Sequence, residues 1–262
     1  MNTRTYPGLE LEKRGHTAIL TLANPPANTW TQESLMALVE LVDHLNADRD
    51  IYSLVVTGQG DKFFSAGADL KLFADGDKAV AAGMSHAFGR AFEALAGFRG
   101  VSIAAINGYA MGGGLECALA CDLRVVEEQS VLALPEAAVG LLPCAGGTQW
   151  LSWLVGEGWA KRLILCGERL DASTALRIGL VEEVTGRGEA LARALELARS
   201  VERQSPTSVT ACKRLIQAAR SMSPVEALPV ERAEFVKLFD TADQREGVAA
   251  FLEKRKPQWL NA

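Results

Sequence analysis

The sequence lacks the patterns that mark several large classes of proteins. It has no Cys-x-x-Cys pair, and its five cysteines are scattered along the chain, which argues against a disulfide framework or a zinc pattern. No apolar stretch approaches the roughly 20 residues that a membrane span needs, and residues 1–8 contain no apolar core of a secretory signal. We therefore expect a cytoplasmic protein without a membrane segment.

The chain also has fewer basic residues than acidic residues. The chain has 27 Lys and Arg residues against 32 Asp and Glu residues, a formal net charge of −5. A surface that binds nucleic acid or anionic lipid needs an excess of basic residues. We expect no nucleic-acid partner, and any anionic ligand has to be bound by a few local groups.

The composition that is present is typical of a globular protein. Of the 262 residues, 48% are hydrophobic and 23% are charged, and glycine is slightly frequent at 24 residues. Up to about residue 184 the patterns of strands and helices alternate, which predicts an α/β core with a largely parallel sheet. We predict strands at 16–23, 52–57, 63–69, 101–106, 122–127 and 131–134, and helices from about 31, at 78–98, 115–120 and 148–155.

The C-terminal part has the periodicity of helices only. We predict helices at 190–203, 207–220, 225–240 and 243–254. The chain is therefore divided into an α/β core at 1–188 and a helical C-terminal subdomain at 189–262, which together form one functional domain. The late helices carry apolar residues that we expect to be buried within or between subunits, namely Val236, Leu238, Phe239 and Phe251.

Three glycine-rich stretches combine tight turns with polar groups: 65–71 (SAGADLK), 107–122 (NGYAMGGGLECALACD) and 135–149 (PEAAVGLLPCAGGTQ). In the second, Gly112 to Gly114 begin a helix, where backbone N–H groups are free at the positive end of the helix dipole. The spacings of phosphate-binding and dinucleotide-binding loops do not occur there. The pattern thus favours a site for a carbonyl oxygen that becomes negative during a reaction.

Two glutamates near these turns are flanked by apolar residues in the sequence. Glu116 follows the glycine run by one helical turn, and Glu136 lies between apolar segments. Burial raises the pKa of a carboxyl towards neutrality, which suits general acid and base catalysis. Each glutamate taken alone is better explained as a satisfied surface group than as a catalytic residue.

Taken together, the three stretches, in this order and spacing, resemble the crotonase (enoyl-CoA hydratase/isomerase) superfamily. Arg245-Glu246-Gly247 and residues 251–256 (FLEKRK) extend the resemblance to the C-terminus. The resemblance implies an α/β fold of the crotonase-like (ClpP/crotonase) type, a spiral of ββα units with a helical C-terminal subdomain used for trimerisation. It further implies a homotrimer or a hexamer made of two trimers.

The resemblance also implies an activity. It suggests a lyase of fatty-acid metabolism and β-oxidation, an enoyl-CoA hydratase that adds water reversibly, with syn geometry, across the 2,3-double bond of an acyl-CoA. The backbone N–H groups of Ala68 and Gly113 would form the oxyanion hole. Glu116 would activate water and Glu136 would exchange the proton at C2. No metal and no cofactor are implied, other than the coenzyme A carried by the substrate.

Acyl-CoA contacts follow by the same resemblance. They are Ala66, Ala68, Asp69, Leu70, Lys71, Gly113, Leu141 and Lys254. Lys71 and either Lys254 or Lys256 would meet the phosphates, although a solvated helix face explains the two C-terminal lysines equally well. The chain departs from the family at three places: Pro25-Pro26 stand where a basic residue is frequent, Cys144 where glycine is common, and Trp150 where arginine is common. We expect Cys144 and Trp150 to line or adjoin the acyl pocket.

Two alternatives remain beside hydration. An enoyl-CoA isomerase or a specialised acyl-CoA lyase of the same superfamily needs a proton shuttle, for which one carboxylate suffices, whereas water addition gains from two. The chain has both glutamates, which favours a hydratase. An RNA-binding crotonase homologue would need a lysine-rich helix, and the basic residues here are dispersed.

Overall fold

A computed structural model describes residues 6–262 and shows an α/β core followed by helices. The strands are β1 (Leu9–Arg14), β2 (Thr17–Leu22), β3 (Ser53–Gly58), β4 (Phe63–Ser65), β5 (Val101–Ile106), β6 (Tyr109–Met111), β7 (Leu123–Glu127), β8 (Val131–Ala133), β9 (Leu170–Asp171) and β10 (Glu183–Thr185). The helices are α1 (Gln32–Ala47), α2 (Lys78–Ala96), α3 (Gly113–Ala120), α4 (Gly147–Leu165), α5 (Ala172–Arg177), α6 (Ala190–Val201), α7 (Pro206–Ala218), α8 (Pro224–Lys237) and α9 (Ala242–Leu252).

The strands form two sheets. The larger has the order β1-β2-β3-β5-β7-β10 and the smaller the order β4-β6-β8-β9. Pairing is parallel throughout except between β1 and β2 and between β8 and β9. The predicted α/β class with a largely parallel sheet is confirmed.

The first helix shows how local sequence fixes an element. The Thr31 hydroxyl accepts a hydrogen bond from the Ser34 N–H, and the Ser34 hydroxyl accepts one from the Thr31 N–H, a reciprocal cap that starts α1 at the predicted threonine. From there apolar side chains recur every three or four residues, and Leu35, Leu38 and Leu41 are fully buried. α1 and α2 pack against each other beside the sheets.

Several short elements were not predicted. β6, β9, β10 and α5 contain two to six residues, too few to show a periodicity. β1 was missed because five of its six residues are exposed at the sheet edge. The predicted end of a helix at residue 155 is confirmed, because Gly156 adopts φ 76° and interrupts α4 there; the second helical part, up to Leu165, was not predicted.

The C-terminal helices attach to the core in two ways. α6 packs its alanine face, Ala190, Ala194 and Ala198, on the larger sheet, although the proposed division at residue 189 places it in the helical subdomain. Lys213 of α7 reaches back to the Asp122 carboxylate at 2.7 Å. The division of the chain stays a prediction, and within it α6 is part of the sheet layer.

Three of the four late apolar residues are not buried within the single chain, so for them burial between subunits stays a prediction. Val236, Phe239 and Phe251 are exposed in the single chain, and Leu238 is half-buried. Within residues 6–262 no helix is both long and apolar enough to cross a bilayer.

Candidate active site

The smaller sheet brings the three glycine-rich motifs to one place. β4, β6 and β8 are parallel neighbours, so their carboxyl ends lie at the same edge. The chain continues from these ends into Ala66 to Ala68, into Gly112 and Gly113, and into Pro135 and Glu136. Motifs that are about 25 to 45 residues apart in sequence therefore line one cavity of about 770 Å³.

The first two motifs touch through their backbones. A Cβ at Gly67 would lie 2.8 Å from the Met111 carbonyl oxygen and 2.9 Å from the Gly113 nitrogen, and Gly67 has φ +83°. Only glycine tolerates both the contact and this conformation. Because α3 begins at Gly113, the first N–H groups have no partner within the helix. The contact therefore places the segment of Ala68 beside the free N–H of Gly113.

Glu116 is held rigidly in the cavity wall. It is 2% exposed, and its Oε1 accepts hydrogen bonds from the N–H groups of Ala145 at 2.8 Å and Gly147 at 2.9 Å. Burial raises the pKa of this carboxyl, and the two N–H donors partly offset that rise. One oxygen is thus anchored, which fixes the orientation of the carboxylate towards the cavity.

Glu136 lies in a different environment. It opens a short 3-10 turn, Glu136–Val139, and its Oε2 is buried with no hydrogen-bond partner. Burial raises its pKa to about 7, and the charge of Glu116 contributes to the rise. At neutral pH this carboxyl is therefore divided between its protonated and ionised forms.

The predicted substrate contacts fall into two groups. Seven predicted site residues line the cavity: Ala66, Ala68, Leu70, Gly113, Glu116, Glu136 and Leu141. The other three do not. Asp69 caps the 3-10 turn Leu70–Phe73 by accepting from the Lys71 N–H. Lys71 is exposed and follows Leu70, and Lys254 is exposed just beyond α9, as is Lys256.

The two departures expected near the acyl pocket are placed as follows. Cys144 lines the cavity, and burial together with the charges of Glu116 and Glu136 raises the pKa of its thiol to about 11, so it stays protonated at neutral pH. Trp150 packs beneath Gly146, where a Cβ would lie 2.6 Å from the indole. Trp150 adjoins the loop that supplies the donors to Glu116.

Sequence reasoning missed two parts of the site. The N–H groups of Ala145 and Gly147 anchor Glu116, a role for which the only sequence signal was the glycine pair of the third motif. The cavity wall formed by α2, including Met84 and Phe88, gave no signal at all, since these residues follow ordinary helical spacing. Among residues 6–262, no group of three potential ligands from His, Cys, Asp and Glu is placed to hold a metal ion.

Comparison with known proteins identifies the family. A family model described as Enoyl-CoA hydratase/isomerase matches residues 12–262. The chain belongs to the enoyl-CoA hydratase/isomerase family. The motifs that the sequence analysis assigned to the crotonase superfamily are therefore those of a true member, and the predicted family is confirmed.

Relatives of this family member cover nearly its whole length. It is 38% identical to the putative enoyl-CoA hydratase/isomerase YngF of Bacillus subtilis, over 93% of this chain and 94% of that one. It is 37% identical to the 2,3-dehydroadipyl-CoA hydratase of Escherichia coli, over 96% and 98% of the two chains.

Solved structures confirm the crotonase-type fold of the chain. Pseudomonas aeruginosa DspI superposes with a TM-score of 0.96 at 66% identity, covering 98% of each chain. The enoyl-CoA hydratase of Bacillus anthracis superposes with a TM-score of 0.94 at 32% identity, covering 97% of this chain and all of the other.

Proposed function

We propose that this family member is an enoyl-CoA hydratase that adds water reversibly, with syn geometry, to the 2,3-double bond of an enoyl-CoA. The observation that carries the proposal is the pair of carboxyl groups in one cavity with different environments. Glu116 is anchored by two N–H donors, whereas Glu136 has an unpaired oxygen and a pKa of about 7. Such a pair can supply one base and one acid at the same pH.

The oxyanion hole stabilises the charge that develops on the substrate. The thioester carbonyl would accept hydrogen bonds from the N–H groups of Ala68 and Gly113, both of which line the cavity. Addition at C3 shifts electrons to this oxygen and forms an enolate. Two fixed donors aimed at that oxygen stabilise the charge by several kcal/mol.

The two glutamates divide the proton transfers. The Glu116 carboxylate takes a proton from water while the hydroxyl bonds to C3, and Glu136 gives its proton to C2 as the enolate collapses. Glu116 then carries a proton and Glu136 has lost one, so transfer between them through solvent restores the starting state. No electrons are gained or lost overall, and the proposed reaction calls for no cofactor beyond the substrate's coenzyme A.

Coenzyme A would be bound mostly outside the cavity. Lys71 is exposed and follows Leu70, which lines the cavity, and is suited to a phosphate of the coenzyme. Lys254 or Lys256 would provide a second cation, from the same chain or from a neighbouring subunit. The exposed apolar residues Val236 and Phe251 support a trimer or hexamer built on the C-terminal helices, in the cytoplasm.

Double-bond isomerisation is the second candidate. A carboxyl with a pKa of about 7 can both take and give a proton at neutral pH, which is what a 1,3-proton shuttle needs. The anchored Glu116 is the observation that favours hydration instead, because an isomerase needs no second carboxylate for water. An RNA-binding role is less favoured, given a net charge of −5.

Crotonyl-CoA hydration tests the proposal through the loss of absorbance of the enoyl thioester. We expect Glu116→Gln and Glu136→Gln each to lower kcat by at least about 100-fold, because each removes a proton-transfer group while keeping the shape. We expect wild-type activity to fall as pH rises above about 7, since Glu136 then loses the proton it donates. Glu128→Gln, a change at an exposed site, is the matched control.

The same assay separates the candidates. Absorbance that does not fall with crotonyl-CoA, or near-normal turnover in both glutamine variants, would contradict the hydratase assignment. Appearance of the conjugated band from a 3-enoyl-CoA would then indicate an isomerase. Retention on RNA at physiological ionic strength would favour the binding protein.

A further inference from the structure

A row of three buried aromatic rings lies behind the two oxyanion segments. The rings of Trp30 and Phe92 meet edge to face with centroids 5.4 Å apart, and those of Phe92 and Phe88 do so at 5.6 Å. All three side chains are buried. Edge-to-face packing is a preferred and directional arrangement of aromatic rings, so this aromatic row has a defined length and shape.

Each of the two terminal residues of the aromatic row contacts one oxyanion segment, Trp30 through its main chain and Phe88 through its ring. At one end the contact is made by the main chain that carries the indole: the backbone N–H of Trp30 donates to the Gly67 carbonyl at 2.9 Å, and the backbone of Trp30 forms an isolated β-bridge with Ala68. At the other end, a Cβ at Gly113 would lie 2.8 Å from the ring of Phe88. The row therefore runs from the segment of the first N–H donor to the second donor.

Trp30 itself does not line the cavity. Phe88 is a lining residue, whereas Trp30 is not, and the indole is 2% exposed. The indole Nε1 is buried without a hydrogen-bond partner, and an unpaired buried N–H is destabilising. The indole thus contributes through its size and its packing on Phe92, and not through a polar contact.

We propose that Trp30 is a positioning residue that sets the Ala68 N–H against the Gly113 N–H. The inference rests on the proposed function, because it takes these two groups as the donors to the thioester carbonyl. Close-packed interiors transmit a change of shape, and a displaced donor stabilises a developing charge less well. Shortening the aromatic row at Trp30 is therefore expected to weaken the transition state more than substrate binding.

Steady-state kinetics with crotonyl-CoA test this assignment. We expect Trp30→Leu to lower kcat at least about tenfold with KM within about threefold, the pattern of an interaction lost mainly in the transition state. Trp30→Phe keeps an aromatic ring next to Phe92 and is expected to stay within about threefold of wild type. Trp153→Leu, at an exposed tryptophan of α4, is the matched control and is expected to be unchanged.

A spectroscopic readout reports on the donors independently of the rate of hydration. Cinnamoyl-CoA has a conjugated thioester whose absorption moves to longer wavelength when its carbonyl is polarised by hydrogen bonds. We expect a shift on binding to the wild type and a smaller shift on binding to Trp30→Leu at saturation. A purely structural role would lower the melting temperature but leave both the shift and the kcat of the folded enzyme intact.

Phe92→Leu is a second variant that tests the same inference if Trp30→Leu does not fold. It removes the central ring without substituting any residue of the oxyanion segments or of the cavity lining, and the same loss in kcat and in the spectral shift is expected. Unchanged values in either variant, with circular dichroism matching the wild type, would overturn the inference. Failure of the proposed function looks different: the wild type itself would not hydrate crotonyl-CoA, while the cinnamoyl-CoA shift would still report on the role of Trp30.

Discussion

Replacement of Glu136 by glutamine is expected to stabilise the protein in a pH-dependent way. In the folded chain, burial raises the pKa of this carboxyl from the ordinary 4.5 to about 7. The folded state therefore keeps a proton that the unfolded state releases as pH rises from about 4.5 to 7. Stability falls with rising pH in that window, because the folded state binds more protons there. Glutamine has nearly the same shape but cannot ionise, so it avoids the cost of burying a charged carboxylate at high pH.

The size of the effect follows from the pKa values. A change from 4.5 to about 7 corresponds to about 3.4 kcal/mol if it is fully expressed in the unfolding equilibrium. The Glu136 carboxyl is partly exposed to solvent, which reduces the penalty, so we expect about 2 kcal/mol. Glu136→Gln should thus be more stable than wild type by about that amount at pH 8, with the gain falling towards zero near pH 4.5.

Urea unfolding of both proteins at pH 5, 6, 7 and 8 measures this difference. The protein concentration must be the same throughout, because association adds to the apparent stability. Groups that do not interact with Glu136 titrate alike in the two proteins and cancel in the difference; Glu116, whose charge acts on Glu136, is the exception. Glu10→Gln, at an exposed position of β1, is the control and should show no pH-dependent gain. A gain from Glu136→Gln that is absent, or equal at all four pH values, would refute the reasoning.

Two further substitutions test the packing around the site. Gly112→Ala is expected to lower kcat about 100-fold. The new Cβ would lie 2.9 Å from Oε1 of Glu136, and residue 112 has a φ of +52° that alanine rarely adopts. Turnover of crotonyl-CoA by the folded variant measures this effect, and a kcat equal to that of the wild type would contradict it. Lys213→Met is expected to lower the free energy of unfolding by about 2–4 kcal/mol, because it leaves the Asp122 carboxylate without its partner at 2.7 Å. Urea unfolding measures the loss of stability. The control is Lys161→Met, which removes an exposed ion pair and should change the free energy of unfolding by less than about 0.5 kcal/mol. Equal losses in the two variants would contradict the prediction.

Much of the fold could be predicted because local rules decide it. The capping residue Thr31 and the apolar period of α1 appear directly in the sequence, as does the glycine run that opens α3. Short elements such as β9 and β10 could not be predicted, since two or three residues form a strand only when a neighbouring strand supplies the hydrogen bonds.

In the candidate site, too, some features follow from the local sequence and others from the tertiary structure. The sequence by itself determined which groups are available: two carboxyls, Glu116 and Glu136, each set in apolar company, and backbone N–H groups freed by glycines at the start of a helix. These follow from covalent structure and helical spacing, which act over a few residues.

Only the tertiary structure decided how those groups differ and what holds them. Glu116 is anchored by N–H groups from Ala145 and Gly147, about thirty residues away, whereas Glu136 keeps an unpaired oxygen. The ring of Phe92, which belongs to neither oxyanion segment, packs between Trp30 and Phe88 behind them. Desolvation, hydrogen bonding and packing arise from atoms that meet only when distant segments come together, and so no local pattern in the sequence records them.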